Sequence, residues 1–416
     1  MDSRERVMLA LAHKEADRVP IDVGSTDATS MAALTQAGVI DHLGFPKRKL
    51  RLHDIWQQIA ILEPDVSKAL HSDVDRVHTL RPLWWLPALR VDRWKVGALV
   101  DGTPAFVPAA FEPIREGEAY VLRNESGETV AHRPKSGLYF DHVGIYHPLA
   151  SARTGQELKS AYRKLFPKQH LTQEEKDFAR SEASRIRTES DRALMLLFGG
   201  SIYEMGQYTR GYKQWYMDIA QDRSKGIVTT LVELLTEDYR ARLNDYAEAV
   251  GDCVDLIAFV DDLGMQSGPQ ISPETYRELF KPHHQAMWDE VHRLTDWKVW
   301  LHSCGGISEY LPDLIDAGLE VLNPVQTSAA GMDPRHLKRE FGSDLCFWGG
   351  GVDTQGVLPV ATPAELDRAI REAIEVLAPG GGFVFATVHD IQADIAPETA
   401  VSVFDGALEH GRQIYC

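Results

Sequence analysis

The stretch that decides the fold is KVWLHSCGGISEYLPDLIDAGLEVLNPVQ, residues 298–326. It opens with the apolar run Val299–Leu301, breaks at His302-Ser303-Cys304-Gly305-Gly306, continues as a helical pattern and returns to a second run at Val321–Leu322. Unbroken apolar runs mark strands buried on both faces, and a helix between two of them is a parallel crossover. The same unit repeats outward. Runs at Ala193–Phe198, Leu256–Val260, Leu345–Trp348 and Phe383–Ala386 each lead into loop residues and then a helical pattern. A strand at Val19–Val23 and one hidden near residues 75–80 bring the count to about eight, the number that closes a barrel. The expected architecture is an α/β chain, a (β/α)8 TIM barrel forming one domain over residues 1–416. An open doubly wound sheet would need a Gly-x-Gly-x-x-Gly turn opening a helix. Gly349-Gly350-Gly351 and Gly380-Gly381-Gly382 read as turns instead, and the second precedes a strand.

Upstream, an amphipathic helix carries Val7, Met8, Leu11 and Ala12 on one face. From Val91 to Tyr146 the texture changes to short extended segments, RWKVGAL, AFVPAAF, AYVLRN and ETVAHR, divided by Asp-Gly, Glu-Gly and Ser-Gly turns. This predicts a β-rich insertion over residues 85–150, in the N-terminal half. The run TQEEKDFARSEASRIRTESDR, with Glu/Lys and Glu/Arg pairs at helical spacing, predicts a solvated helix.

The 416 residues carry 44 Lys+Arg against 61 Asp+Glu, a net charge of −17. That balance excludes a sequence-independent grip on nucleic acid or an anionic membrane. No run approaches the ~18 apolar residues of a membrane span, and Asp2-Ser3-Arg4-Glu5-Arg6 precedes no apolar signal segment, so the expected location is the cytoplasm. Cysteines at 253, 304, 346 and 416 are too scattered for a disulfide framework.

In a parallel barrel the residues just beyond each strand's C-terminal end face the active site. Here they are Glu204, Asp261-Asp262, His302-Ser303-Cys304, Asn323 with Gln326, Asp353, and His389-Asp390. Residues i and i+2 of an extended segment point the same way, so His302 and Cys304 can reach one ion, and an imidazole with a thiolate suits Zn2+. A third ligand must come from elsewhere: His389 first, then Glu204 or Asp262. Asp261-Asp262 lead into a loop, Leu263-Gly264, which places them at the mouth as catalytic candidates beside Glu204. Asn323, Gln326 and Asp353 are candidate substrate contacts. Trp56 and Trp84-Trp85 supply apolar surface for core or pocket, Cys253 and Cys346 read as inert interior residues, and His283-His284 are expected on a helix surface.

With these residues in view the sequence resembles the uroporphyrinogen decarboxylase superfamily, a (β/α)8 family that also contains zinc-dependent, corrinoid-dependent methyltransferases. The resemblance rests on ADRVPID, FVDDLGMQSGPQISPETYRELFKPHH, VWLHSCGGISEYLPDLIDAGLEVLNPVQ, FWGGGVDTQ and GGFVFATVHDIQADIAPET, in the family's order and spacing. The decarboxylase branch carries an Arg-Gln-Ala-Gly-Arg stretch after its first strand for the carboxylates of a tetrapyrrole. Here that place reads Asp22-Val23-Gly24-Ser25-Thr26-Asp27-Ala28-Thr29, without an arginine.

The methyltransferase branch is the better match, because its zinc motif begins with the His-x-Cys-Gly found at His302–Gly305. The coenzyme M enzymes add a second cysteine where this sequence has His389, and exchanging a thiolate for an imidazole makes the site more electrophilic and better suited to an oxygen-bearing substrate. The resemblance thus implies a cytoplasmic enzyme of O-demethylase type. It would move a methyl group between a small methylated substrate, a methyl ether, and the cobalt of a corrinoid (methylcobalamin) held on a separate carrier protein, with a homodimer as the assembly left open. Two other readings compete: a decarboxylase or lyase acting on another small substrate, and a catalytically silent binding subunit.

Overall fold

Seven parallel strands form the frame: β1 Val74–Val77, β2 Ala193–Gly199, β3 Leu256–Val260, β4 Lys298–His302, β5 Val321–Asn323, β6 Cys346–Trp348 and β7 Phe383–Val384. In this computed structural model, which describes residues 1–80, 90–124, 127–142, 147–167 and 169–415, each strand pairs with its neighbours in sequence order, from β1 at one edge to β7 at the other. The sheet curls into a TIM-barrel-like fold. Its two edges meet through residues 20–22: Asp22 N–H donates to Phe385 O at 2.8 Å, Phe385 N–H to Pro20 O at 2.8 Å, and Asp73 N–H to Ile21 O at 2.7 Å. The expected strand at Val19–Val23 is thus present as a short seam with a single parallel bridge, Ile21 to Phe385.

Strand periodicity explains the interior. Alternate residues point inward, and Val74, Ala193, Met195, Leu197, Leu256, Ala258, Trp300, Val321, Trp348 and Val384 form one buried cluster inside the barrel. The N-terminal helix Ser3–Leu11 plugs the floor, adding Val7, Ala10 and Leu11 to that cluster. Trp300 and Trp348 lie edge to face with ring centres 6.4 Å apart, and truncating either to Ala would cost about 3–5 kcal/mol. Above this floor the inward positions turn polar, which makes the C-terminal end of the strands a mouth.

Of the predicted insertion, the described part is an antiparallel hairpin, Trp94–Ala98 with Pro104–Pro108, and a four-stranded antiparallel sheet from Ile114 to His142. It docks on the turn of a short hairpin at residues 52–60, where Phe140 N–H donates to Trp56 O at 2.9 Å. Trp84, Trp85 and Cys416 lie outside the described residues. The charged run forms the helix Gln173–Glu189, opened by a Thr172/Glu175 capping box. Among the described residues, no helix is long and apolar enough to cross a membrane.

Candidate metal centre

His302 ends β4, and the backbone then stays extended long enough to bring Cys304 to the same side. Gly305 makes that possible. Its φ of +91° is unfavourable for residues with a side chain, and a Cβ there would lie 2.4 Å from the Gly264 carbonyl carbon, so the loop after β4 packs directly on the loop after β3. Asp262 fixes the loop by accepting the Cys304 N–H at 2.7 Å, and Gln326 accepts the Gly305 N–H at 2.6 Å. His389, beyond β7, completes a group whose nitrogen and sulfur ligand atoms all lie within 4.8 Å of one another. Among the described residues no other set of three His, Cys, Asp or Glu side chains converges in this way.

Each imidazole is held from behind. His302 Nδ1 faces Asn323 Oδ1 at 2.6 Å, and Asn323 Nδ2 donates in turn to Trp348 O at 2.9 Å, so His302 Nε2 is presented to Cys304 Sγ at 3.3 Å. His389 Nδ1 meets the Asp390 carboxylate, fully buried, which also accepts from the Tyr139 hydroxyl at 3.3 Å. A carbonyl or carboxylate behind a ligating histidine fixes its tautomer and raises its basicity. Burial and Asp262 push the Cys304 thiol up, but the two imidazoles more than offset them and it ionises below its ordinary value. Burial works against protonating His302 and His389, yet Cys304 raises both, and Asp390 takes His389 well above the usual histidine range. Two imidazoles and a readily ionised thiol fit Zn2+ in type and spacing, and leave a fourth position open.

The acids of the mouth divide by environment. Asp261 is buried and its carboxylate accepts from Ser201 Oγ at 2.7 Å and from the N–H groups of Ile202, Tyr203 and Glu204 at 2.9–3.2 Å. It therefore shapes the turn into the helix Glu204–Arg210 and has little left to offer a substrate. His284 Nε2 touches the same carboxylate at 3.2 Å, while its ring stacks on Trp288 and its Nδ1 meets the Tyr276 hydroxyl. The surface position expected for His284 is thus incorrect: it is 1% exposed, because the helix Lys281–Leu294 turns this residue toward β3.

Glu204 sits beside Asp262. Its Oε2 is buried without a partner and Tyr208 OH approaches Oε1 at 3.4 Å. Burial first, then the charges of Asp262 and Asp261, hold this carboxyl well above the usual range. Asn323 and Gln326 are spent on positioning the His-Ser-Cys loop. Asp353 caps its own turn, accepting from Gln355 N–H at 2.8 Å and Gly356 N–H at 3.1 Å, and no contact joins it to the triad. Tyr139 carried no signal in the sequence, since its role depends on the insertion folding back over β7.

The uroporphyrinogen decarboxylase (URO-D) family model matches residues 175–410. Among solved structures, a methyltransferase from Methanosarcina mazei superposes with a TM-score of 0.57 at 15% identity, covering 100% of both chains. A B12-independent methionine synthase from Shewanella sp. W3-18-1 gives 0.41 at 12% identity over 84% of each chain. No curated protein matches the sequence significantly.

Proposed function

Because the chain belongs to the uroporphyrinogen decarboxylase family, we propose that it is a zinc-dependent methyltransferase, moving a methyl group between a small methyl ether and a corrinoid on a separate carrier protein. The observation that carries this reading is the donor set itself: two braced imidazoles and one activated thiol at the ends of β4 and β7. The M. mazei neighbour, named a methyltransferase, supports the reaction class.

In this reading His302, Cys304 and His389 hold the metal, and a zinc ion there would supply Lewis acidity toward the ether oxygen. Asn323 and Asp390 keep both imidazoles aimed inward. Asp262 holds Cys304 through its backbone, and Asp261 sets the turn that delivers Glu204. Glu204, whose buried carboxyl holds its proton more tightly than an exposed one, gives that proton to the alkoxide or phenolate as the carbon–oxygen bond breaks, leaving the product as an alcohol or phenol. In the opposite direction the same carboxylate takes that proton back.

A second reading, a decarboxylase or lyase working on another small substrate, is favoured by one observation: the His389–Asp390 pair and Glu204 form an acid–base couple at the same mouth. Cys304→Ser separates the two. The methyltransferase reading predicts loss of bound zinc and of methyl transfer together, whereas a metal-free lyase would keep its turnover.

A further inference from the structure

The wall of the mouth built from β1 and the segments beside it carries polar side chains that the chemistry above does not use. Val74 belongs to the interior cluster, so Arg76, two residues on in the same strand, also faces inward, and His78 follows just past the strand's end. Arg76 Nη1 donates to Asp27 Oδ1 at 2.5 Å, and His53 Nε2 lies 3.4 Å from the same oxygen. The His53 and His78 rings meet edge to face at 5.6 Å. The side chains of His53 and Arg76 are 6% and 12% exposed, and Arg76 Nε is buried with no partner.

This group lies within electrostatic reach of the metal centre. Burial pushes the Asp27 carboxyl up, yet Arg76, His53 and also His302 bring it below its ordinary value. Asp54, next to His53 in sequence, is raised to about 7 by burial and by Asp27, with a further contribution from Asp390. The two imidazoles stay neutral: burial and then Arg76 bring His53 down to about 4 and hold His78 well below its ordinary value. A cleft of about 1120 Å³, lined by Ser3, Arg6 and Asp73 on the floor side and by Phe178 and Ile186 of the helix Gln173–Glu189, reaches Arg76 and His78 from behind the wall; His302, Cys304 and His389 do not line it.

We propose that Arg76, with His53 and His78 beside it, binds a carboxylate at the far end of the substrate, exchanging it for the carboxylate of Asp27. A guanidinium fork matches a carboxylate in geometry, and this fork already accommodates one. The neutral imidazoles offer further N–H donors without adding charge. Resting on the methyl-transfer reading, this deepens it: the substrates are methoxy acids, with the ether at the metal centre and the acid on Arg76.

The test is binding, measured by calorimetry and equilibrium dialysis on zinc-loaded full-length protein without any corrinoid. Probes are 2-, 3- and 4-methoxybenzoate and methoxyacetate, each against its uncharged counterpart, methoxybenzene or dimethyl ether. Wild type is expected to prefer at least one acid by roughly 10- to 100-fold, the range set by a charge-assisted pair, and Arg76→Gln to erase that preference. Because Arg76→Gln strands Asp27 and could unfold the wall, Asp27→Asn provides the second arm. With the internal competitor weakened, the preferred acid should bind several-fold more tightly, whereas a purely structural ion pair predicts no gain. No charge preference across the panel, or weaker acid binding in Asp27→Asn, overturns the proposal. Since no methyl transfer is involved, a charge preference with no corrinoid reaction would instead refute the methyltransferase reading alone.

Discussion

Replacing Asp390 by Asn tests how the centre is held. Asp390 is fully buried and spends its carboxylate on His389 Nδ1 and on the Tyr139 hydroxyl. Asparagine keeps the shape and one acceptor, so the loss is the charge. A hydrogen bond to a charged group is worth about 1.5–3 kcal/mol against about 1 for a neutral one, so roughly 1–2 kcal/mol of support for His389 disappears. At about 1.4 kcal/mol per decade this weakens zinc binding some 5- to 30-fold, overlapping the 10–100-fold range typical of such outer partners. The assay is competition against a chromophoric chelator at fixed pH and ionic strength, with circular dichroism as a control for folding. Tyr139→Phe, which removes only the longer contact, should cost less than Asp390→Asn. A variant that folds normally and holds zinc within twofold of wild type would show that His389 is not a ligand, or that its carboxylate partner does not matter.

Glu204→Gln should lower kcat by about 10²–10⁴-fold with zinc content unchanged, as measured by metal analysis beside single-turnover rates. Its raised pKa requires wild-type ether cleavage to fall as pH climbs through that value and the proton is lost. Asp261→Asn should destabilise the fold by about 1.5–3 kcal/mol in a denaturant titration, because several N–H donors before the helix Glu204–Arg210 lose a charged acceptor. Asp22, fully buried under Trp348 and Ser25, titrates at about 6, raised by burial. The folded state therefore binds this proton more tightly than the unfolded one. The stability it contributes is complete below about pH 4 and is lost as pH rises through about 6, close to 3 kcal/mol at 1.36 per pH unit. Asp22→Asn should flatten that part of the stability profile.

The frame of the barrel was legible because strands β2 to β7 are buried on both faces and so read as unbroken apolar runs. Strand β1 was harder to place. Its sequence, Val74-Asp75-Arg76-Val77, turns polar where Arg76 enters the mouth, so the residues that serve the site erase the strand signal. The seam at residues 20–22 falls inside the expected strand Val19–Val23 but pairs through a single bridge, Ile21 to Phe385. His302, Cys304 and His389 were recognisable because each lies within three residues of the end of an apolar run. Tyr139, His53, Asp27 and Arg76 come together only through the closed barrel and the folded-back insertion, and no local spacing records such contacts. His284 looked like surface because it neighbours His283, but helical geometry turns it toward Asp261.

The measurement that tests the central claim most directly is the corrinoid absorbance change when zinc-loaded protein meets reduced cobalamin, or its carrier protein, and a panel of methoxylated aromatics, methoxy acids, methanol and methylamines. The account predicts conversion of Co(I) to methyl-Co(III) with a methyl ether, its loss in Cys304→Ser, and no reaction of the chain alone. Decarboxylation of uroporphyrinogen, or efficient turnover of any substrate with no cobalt present, would contradict it.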